Sequence, residues 1–179
     1  ALAVDMYGKG VRPQNQQEAA AQASLYKNDR ALMRARIGAG LETLLSQESV
    51  DATKVGAIGY CFGGTTVLEL ARGGADVKGV VSFHGGLSTP NPASDTLLAK
   101  VLVLHGADDP YVPAAEVEGF ENEMRTAAAD WQLVKYSGAV HSFTNPDAGN
   151  DPSKGAAYDA KADRRSWIAM KDFLTEIFA

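Results

Sequence analysis

The sequence has one cysteine, no long apolar run and no block of basic residues, and each shortage excludes a class of protein. Because Cys61 is the single cysteine among 179 residues, an intrachain disulfide is impossible and any thiol chemistry must use that residue. No apolar stretch approaches the ~20 residues that span a bilayer, so no membrane partner is expected. The net charge of −5 and the lack of a basic block likewise argue against a nucleic-acid partner.

The remaining composition is that of an ordinary globular protein. Hydrophobic residues make up 45% and charged residues 22% of the chain, and its length suits a single domain over residues 1–179. The chain opens on Ala1-Leu2-Ala3-Val4, with neither an initiator Met nor a signal-peptide pattern, which favours a trimmed chain. The cytoplasm is the default location.

Apolar runs typical of strands alternate along the chain with segments of helical spacing. The patterns predict strands at 1–4, 55–59, 77–83, 101–104 and 131–136, and loops at 88–95 and 138–155. Helices are predicted at 62–72, 114–128 and 156–178, and one or two helices at 17–47, where Gly38 and Gly40 weaken the middle. This alternation predicts an α/β fold with a mostly parallel sheet flanked by helices. Sites in such sheets lie at the carboxyl ends of the strands.

The motif Gly-x-Cys-x-Gly follows the strand predicted at 55–59. It is the cysteine form of a nucleophile elbow, in which the nucleophile occupies a sharp strand-to-helix turn. The small residues Gly59 and Gly63 are expected to prevent steric clashes there. The helix dipole would favour the thiolate of Cys61, and the N–H of Phe62 would bind an oxyanion. The alternative is that Cys61 is merely a small buried apolar residue.

Two further strands end in candidates for an acid and a base. The segment His105-Gly-x-x-Asp109-x-x-Val-Pro resembles the acid loop of α/β-hydrolases, and the resemblance places the acid at Asp109 rather than at Asp108. Two aspartates before a proline are also typical of a simple turn. His141 follows the last predicted strand and completes the chain order nucleophile, acid, base.

The other two histidines are less suitable as the base. His84 opens a His-Gly-Gly sequence that mimics an oxyanion loop of lipases, yet it follows the nucleophile in the chain instead of preceding it. We therefore interpret His84 as a decoy, meaning that its sequence matches the oxyanion motif without that role, and we expect it to line the floor of the site. His105 lies at a strand end within the acid motif and is interpreted as structural.

Taken together, the cysteine elbow, the Asp109 loop and His141-Ser142-Phe143 resemble the dienelactone hydrolase family, as do the opening AVDMYGKG and the closing ADRRSW. The resemblance implies an α/β-hydrolase fold. It also implies hydrolysis of an ester or lactone through an acyl-cysteine, with no metal or organic cofactor. Family members carry further strands upstream, with a second oxyanion donor and a glutamate that activates the thiol. A companion N-terminal fragment is therefore hypothesised to complete the sheet.

One departure from the family bears on the substrate. Members that open dienelactones hold the substrate carboxylate with arginines, and one of these lies four residues after the catalytic histidine. Asn145 occupies that place here, and an amide cannot replace a bidentate charged clamp. A neutral ester or a different lactone is therefore expected. Tyr60, Tyr111, Phe143 and Asn145 are candidate substrate contacts, although core or rim positions suit the aromatic residues equally well.

Two alternatives to a dienelactone hydrolase remain open at this stage. One is a carboxylesterase that accepts many small esters. The other is a non-catalytic or redox-sensing protein in which Cys61 is oxidised or simply packed. The presence of Asp109 and His141 in the order of α/β-hydrolases argues against the second alternative, since a scaffold without activity has no physical need for them.

Overall fold

The computed structural model of the protein describes residues 1–93 and 97–179; the end of the predicted loop 88–95 lies outside the described residues. Four strands form one parallel sheet there in the order β1-β2-β3-β4. The strands are β1 (Gly56–Tyr60), β2 (Gly79–Phe83), β3 (Lys100–Gly106) and β4 (Trp131–Tyr136). The helices are α1 (Gln16–Asn28), α2 (Arg30–Leu45), α3 (Phe62–Arg72), α4 (Ala114–Thr126) and α5 (Ala160–Ile177). The α/β class predicted from the sequence is confirmed.

The two central strands are apolar on both faces because helices cover both sides of the sheet. Successive side chains of a strand point to opposite faces. Val80, Val101 and Val103 accordingly join one core with residues of α3 and α4, such as Leu68 and Phe120. The alternate residues of the same two strands, Val81, Phe83, Leu102 and Leu104, form the second core. They pack there with Met170 and Phe173 of α5.

The N-terminal part of the chain differs from the prediction in two places. Residues 1–4 form no strand; Val4 instead lies against Gly40 of α2, where an added Cβ would overlap the valine side chain. The predicted helical region divides at Asp29, not at Gly38 or Gly40. The carboxylate of Asp29 accepts a hydrogen bond from the N–H of Leu32 and so caps α2.

Helix α5 begins later than predicted and exposes part of its apolar pattern. Asp159 accepts hydrogen bonds from the N–H groups of Lys161 and Ala162, and this cap sets the start of the helix. Trp167 and Ile168 belong to the same apolar pattern as the buried residues Met170 and Phe173, but both are exposed. Within the described residues, no helix is both long and apolar enough to cross a membrane.

The parallel arrangement brings the carboxyl ends of all four strands to one edge of the sheet. Cys61 follows β1, His84 follows β2, Asp109 lies three residues after β3, and His141 lies in the loop after β4. These side chains therefore meet at the edge where sites of open α/β sheets form.

Candidate active site

Cys61 occupies a strained turn between β1 and α3. Its φ of 49° and ψ of −115° lie in a region that side chains other than glycine rarely adopt, and its N–H donates a hydrogen bond to the carbonyl of Phe83. A Cβ at Gly59 would overlap the carbonyl group of Gly63, so the turn requires glycine at position 59. The same requirement predicted for Gly63 is wrong, because a Cβ there would meet no heavy atom within 4 Å among the described residues.

The sulfur of Cys61 lies among polar groups from two other loops. Its Sγ is 3.3 Å from Nδ1 of His84 and 3.3 Å from Oγ of Ser142. A ring nitrogen of His141 also lies near, since the ligand atoms of Cys61, His84 and His141 are all within 4.8 Å of one another. A thiolate and two imidazoles at such separations could exchange protons, and could also chelate a soft metal ion.

His141 is held by a buried carboxylate. Its Nδ1 lies 2.9 Å from Oδ2 of Asp109, while Oδ1 of Asp109 accepts a hydrogen bond of 2.9 Å from the N–H of Tyr111. Asp109 is buried and its neighbour Asp108 is exposed, so the geometry favours Asp109 as the residue that orients the imidazole. Because Nδ1 is engaged, Nε2 is left to face the thiol.

The thiol and the imidazole shift each other's pKa toward an ion pair. Burial alone would raise the pKa of Cys61. Interaction with His141, the hydrogen bond and charge of His84, and the hydrogen bond to Ser142 outweigh burial and lower that pKa to about 5. For His141, burial acts to lower the pKa, but hydrogen bonds and negative charge from Asp109 and Cys61 raise it to about 9. At neutral pH the arrangement favours a thiolate beside an imidazolium.

His84, interpreted as a decoy from the sequence, contacts the sulfur directly. Its Nδ1 faces Cys61, and its Nε2 lies 2.8 Å from Oγ1 of Thr144, a contact that orients the ring. An added Cβ at Gly85 would overlap α3, so this glycine lets the end of β2 approach the elbow. One signal was available in the sequence, since His84 directly follows the strand predicted at 77–83, and sites of such sheets lie at the carboxyl ends of strands.

Backbone strain is concentrated at the same place. The described residues include four non-glycine residues with positive φ, and three of them are Cys61, His84 and Ser142. Such conformations cost about 1–3 kcal/mol each and persist where the surrounding structure imposes them. From the sequence, Ser142 was named only as part of the His141-Ser142-Phe143 motif, and neither Ser142 nor Thr144 was given a role of its own.

The other predicted site residues occupy different environments. Phe62 is the first residue of α3, where the backbone N–H has no partner within the helix. Tyr60 and Asn145 line a pocket beside Cys61, and the ring of Tyr111 lies edge-on to His141 at 5.4 Å. Phe143 is completely buried, with its ring 4.9 Å from that of His84. A substrate-contact role does not fit that position, and Phe143 instead supports the imidazole of His84.

The parallel sheet, with helices on both faces and a cysteine on the strand-to-helix turn, is that of an α/β-hydrolase. The chain belongs to the dienelactone hydrolase family, whose model matches residues 1–178. The sequence-based recognition of this family is confirmed. The class of enzyme that the family and its relatives support, a carboxylic-ester hydrolase, also agrees with the sequence analysis.

Several relatives show the extent of the similarity. A dienelactone hydrolase-like promiscuous phosphotriesterase from metagenomic libraries is 42% identical, with a TM-score of 0.90, over 99% of this chain and 74% of that one. An uncharacterized protein of Caenorhabditis elegans is 38% identical over 82% of this chain and 95% of its own length. A putative carboxymethylenebutenolidase of Yersinia pestis is 29% identical over 73% of this chain and 50% of its own length. The chain thus spans about half the length of that carboxymethylenebutenolidase.

Proposed function

We propose that the protein hydrolyses a carboxylic ester or lactone through an acyl-cysteine intermediate. Cys61 is the nucleophile, His141 the general acid and base, and Asp109 the residue that orients His141. The observation that carries the proposal is the 2.9 Å contact between His141 Nδ1 and buried Asp109, together with a ring nitrogen of His141 within 4.8 Å of the sulfur of Cys61. A structural cysteine would need neither partner.

In the acylation step, the thiolate of Cys61 attacks the carbonyl carbon and a C–S bond forms. The carbonyl oxygen becomes an oxyanion, which the N–H of Phe62 is placed to bind at the N-terminus of α3. The tetrahedral intermediate then collapses and the bond to the alkoxy group breaks. The imidazolium of His141 donates its proton to the departing oxygen.

Deacylation restores the resting groups. Neutral His141 removes a proton from water, and the hydroxide attacks the carbonyl carbon of the thioester. Collapse of the second intermediate breaks the C–S bond and leaves Cys61 as a thiolate beside the protonated His141. The products are the carboxylic acid and the alcohol, or a hydroxy acid if the substrate is a lactone.

The names of the relatives support lactone opening as one activity, since several are putative carboxymethylenebutenolidases. Asn145, at the place of a family arginine, favours substrates without a carboxylate. A second candidate is phosphotriester hydrolysis, which is favoured by the 42% identity to a promiscuous phosphotriesterase. In that reaction the same thiolate would attack phosphorus, the bond to one alkoxy group would break, and His141 would protonate the departing oxygen. Water would then cleave the S–P bond, which releases the phosphodiester and restores the thiolate.

The test compares the parent protein with Cys61→Ala on p-nitrophenyl acetate, a dienelactone and a phosphotriester. Loss of turnover in the variant supports the proposal, and the ratio of rates identifies the preferred substrate. Asp109→Asn should lower kcat by about 10⁴-fold, as removal of a triad acid does elsewhere, whereas Asp108→Asn is the matched control and should retain activity. Equal turnover by the parent and Cys61→Ala would contradict the assignment of Cys61. Absence of turnover in both, with oxidation of Cys61 by peroxide, would favour the redox alternative.

A further inference from the structure

A buried histidine beside Cys61 takes no part in the proton transfers of the proposed hydrolysis. His84 is 2% exposed, and its Nδ1 lies 3.3 Å from Sγ of Cys61. His141 approaches the same sulfur from the loop after β4, and the ligand atoms of the three residues all lie within 4.8 Å of one another. Thiolate sulfur and imidazole nitrogen are the ligand atoms that Zn²⁺ prefers in proteins.

The separations of these atoms are close to those of a zinc site. Tetrahedral Zn²⁺, with Zn–S of ~2.3 Å and Zn–N of ~2.0 Å, holds its ligand atoms about 3.3–3.6 Å apart. The 3.3 Å between Sγ of Cys61 and Nδ1 of His84 already matches this spacing. The ring nitrogen of His141 lies at most 4.8 Å from either atom, so it would have to move by less than about 1.5 Å to complete the site.

Each of the two imidazoles has a partner on its other nitrogen. Nδ1 of His141 lies 2.9 Å from Oδ2 of Asp109, which leaves Nε2 for a metal. Nε2 of His84 lies 2.8 Å from Oγ1 of Thr144, and this oxygen can accept the proton of the tautomer that binds metal through Nδ1. Histidines that ligate metals almost always donate their second N–H to such a group, because the contact fixes the tautomer and the orientation of the ring. Both rings are therefore oriented as ligands before an ion binds.

The backbone fixes the positions of the ligands, and a pocket gives an ion access to them. Cys61 and His84 both have a positive φ that the surrounding structure imposes. Both also line a pocket of about 440 Å³, whose lining includes the exposed residue Asn145. An ion held by three protein ligands can keep water in its fourth position on the pocket side.

From this arrangement we propose that Cys61, His84 and His141 form a three-ligand Zn²⁺ site, and that the ion inhibits the hydrolase reversibly. Sγ and the two ring nitrogens each donate an electron pair to the metal, and any protons on these atoms pass to the solvent. The bound ion holds the nucleophile and the base together, so that neither attack on a carbonyl carbon nor proton transfer to the leaving group can occur. The inhibition rests on the proposed function, whereas the binding of zinc does not.

Metal binding is measured without catalysis, by calorimetric titration with ZnCl₂. Thr144→Val removes a group that only orients a ligand and should weaken zinc binding by about 10–100-fold. His84→Gln removes a ligand itself, so the loss should exceed ~100-fold. His105→Gln is the matched control, because His105 is the remaining histidine of the chain and lies outside the cluster; it should bind zinc as the parent does. Co²⁺ in place of zinc should give the visible bands of a tetrahedral ion and a thiolate-to-metal charge-transfer band in the parent.

Equal zinc affinity of the parent and of folded His84→Gln would overturn the inference, because Cys61 and His141 would then bind the ion without His84. Absence of zinc binding to the parent would also overturn it, whatever the hydrolysis data show.

Inhibition is tested on the hydrolysis of p-nitrophenyl acetate by the parent, after subtraction of the rate without protein. Turnover should fall over the range of ZnCl₂ concentrations in which calorimetry shows binding, and it should recover when EDTA removes the ion. Undiminished turnover at saturating zinc would overturn the inhibition. If the parent hydrolyses no ester but binds zinc in a manner that depends on His84, the proposed ester hydrolysis fails and the metal site stands.

Discussion

At Cys61, burial and neighbouring charge act on the thiol in opposite directions. Burial disfavours the thiolate, and the interactions with His141, His84 and Ser142 more than compensate, so that the pKa of Cys61 falls to about 5. An ordinary cysteine is protonated at neutral pH and reacts slowly with electrophiles. Cys61 should instead react as a thiolate over most of the pH range in which proteins are handled.

The rate of alkylation measures this directly. The second-order rate constant of iodoacetamide with Cys61 should rise with pH through an inflection near pH 5, the pKa of the thiol in the folded protein being about 5, and then remain constant through pH 8. No correction for other thiols is needed, because the chain contains one cysteine. An inflection near 9, the ordinary value of a thiol, would contradict the charge arrangement described for the site.

His84 can be tested with the same reaction. Because its hydrogen bond and charge both lower the pKa of Cys61, His84→Gln should move the alkylation inflection to higher pH. Thr144→Val removes the group that orients His84 through Nε2 and should produce a smaller shift in the same direction. Far-ultraviolet circular dichroism of both variants serves as the control for folding. An unchanged inflection in His84→Gln would mean that His84 only fills space.

The residues of the site differ in how far the sequence predicts them. Cys61, Asp109 and His141 each lie in a motif, and the chain order of the three motifs restricts their roles. His84 lies in a motif that points to another function, and its contact with Sγ follows from the register of β1 and β2. Phe143 was equally suited to core and pocket, because an aromatic side chain in a loop carries no directional pattern in the sequence.

At the scale of the element, the elbow makes different demands on its two glycines. An added methyl group at Gly59 would overlap the backbone of Gly63, whereas one at Gly63 meets no described atom. Gly59→Ala should therefore destabilise the protein by about 1–3 kcal/mol, as overpacking does. Gly63→Ala, the matched control inside α3, should be neutral or stabilise by up to about 1 kcal/mol through helix propensity. Urea unfolding of the two variants gives the comparison, and equal destabilisation would contradict it.

A buried ion network joins α2, α3 and α4. Arg72 donates hydrogen bonds of 2.9 and 2.7 Å to the two carboxylate oxygens of Glu123, and it also contacts Glu69, which Arg34 approaches from α2. Glu123 further accepts a hydrogen bond from the N–H of Ala93. The network therefore ties the helices on one face of the sheet to the chain segment that follows β2.

Removal of one partner would leave buried charge uncompensated. Glu123→Ala should lower the free energy of unfolding by about 3–5 kcal/mol. Glu121→Ala, two residues earlier on α4, removes a solvent-screened i,i+4 partner of Arg125 and should cost less than about 1 kcal/mol. Chemical denaturation of both variants decides the matter. A small effect of Glu123→Ala would show that water or another group replaces its carboxylate.

The sequence predicts the order of the elements, and each place where the prediction is wrong has a local cause. Strands β1 to β4 and helices α3 and α4 follow apolar periodicity, which is imposed by the two faces of the sheet. Residues 1–4 have the composition of a strand, but they form none, and of the four only Val4 is partly buried, against Gly40 of α2. The division at Asp29 depends on a side-chain cap, which the spacing of the apolar residues does not reveal.

At the scale of the whole molecule, the thiol and imidazole couple stability to pH with opposite signs. Cys61 titrates at about 5 when folded and at 9.0 as an ordinary thiol. Between those two values Cys61 takes up a proton when the protein unfolds. The stabilising contribution of the thiolate is therefore lost as the pH falls through 5. His141 titrates at about 9 instead of 6.5. Between those two values His141 releases a proton when the protein unfolds. The stabilising contribution of the imidazolium is therefore lost as the pH rises through 9.

The two effects oppose each other between pH 6.5 and 9, so the pair should add little pH dependence there. Below pH 6.5 His141 is protonated in both the folded and the unfolded state. Of the two residues, only Cys61 then makes the free energy of unfolding depend on pH. The free energy of unfolding of the parent should therefore rise between pH 5 and 6.5 by more than that of Cys61→Ser, whose hydroxyl does not ionise. Urea denaturation at pH 5, 5.75 and 6.5 measures this difference. The groups that do not interact with Cys61 cancel in the comparison, and His141, whose pKa Cys61 raises, is protonated in the folded parent over this interval. Parallel curves for the two proteins would mean that Cys61 is protonated throughout this interval, which is incompatible with a thiolate nucleophile at its lower end.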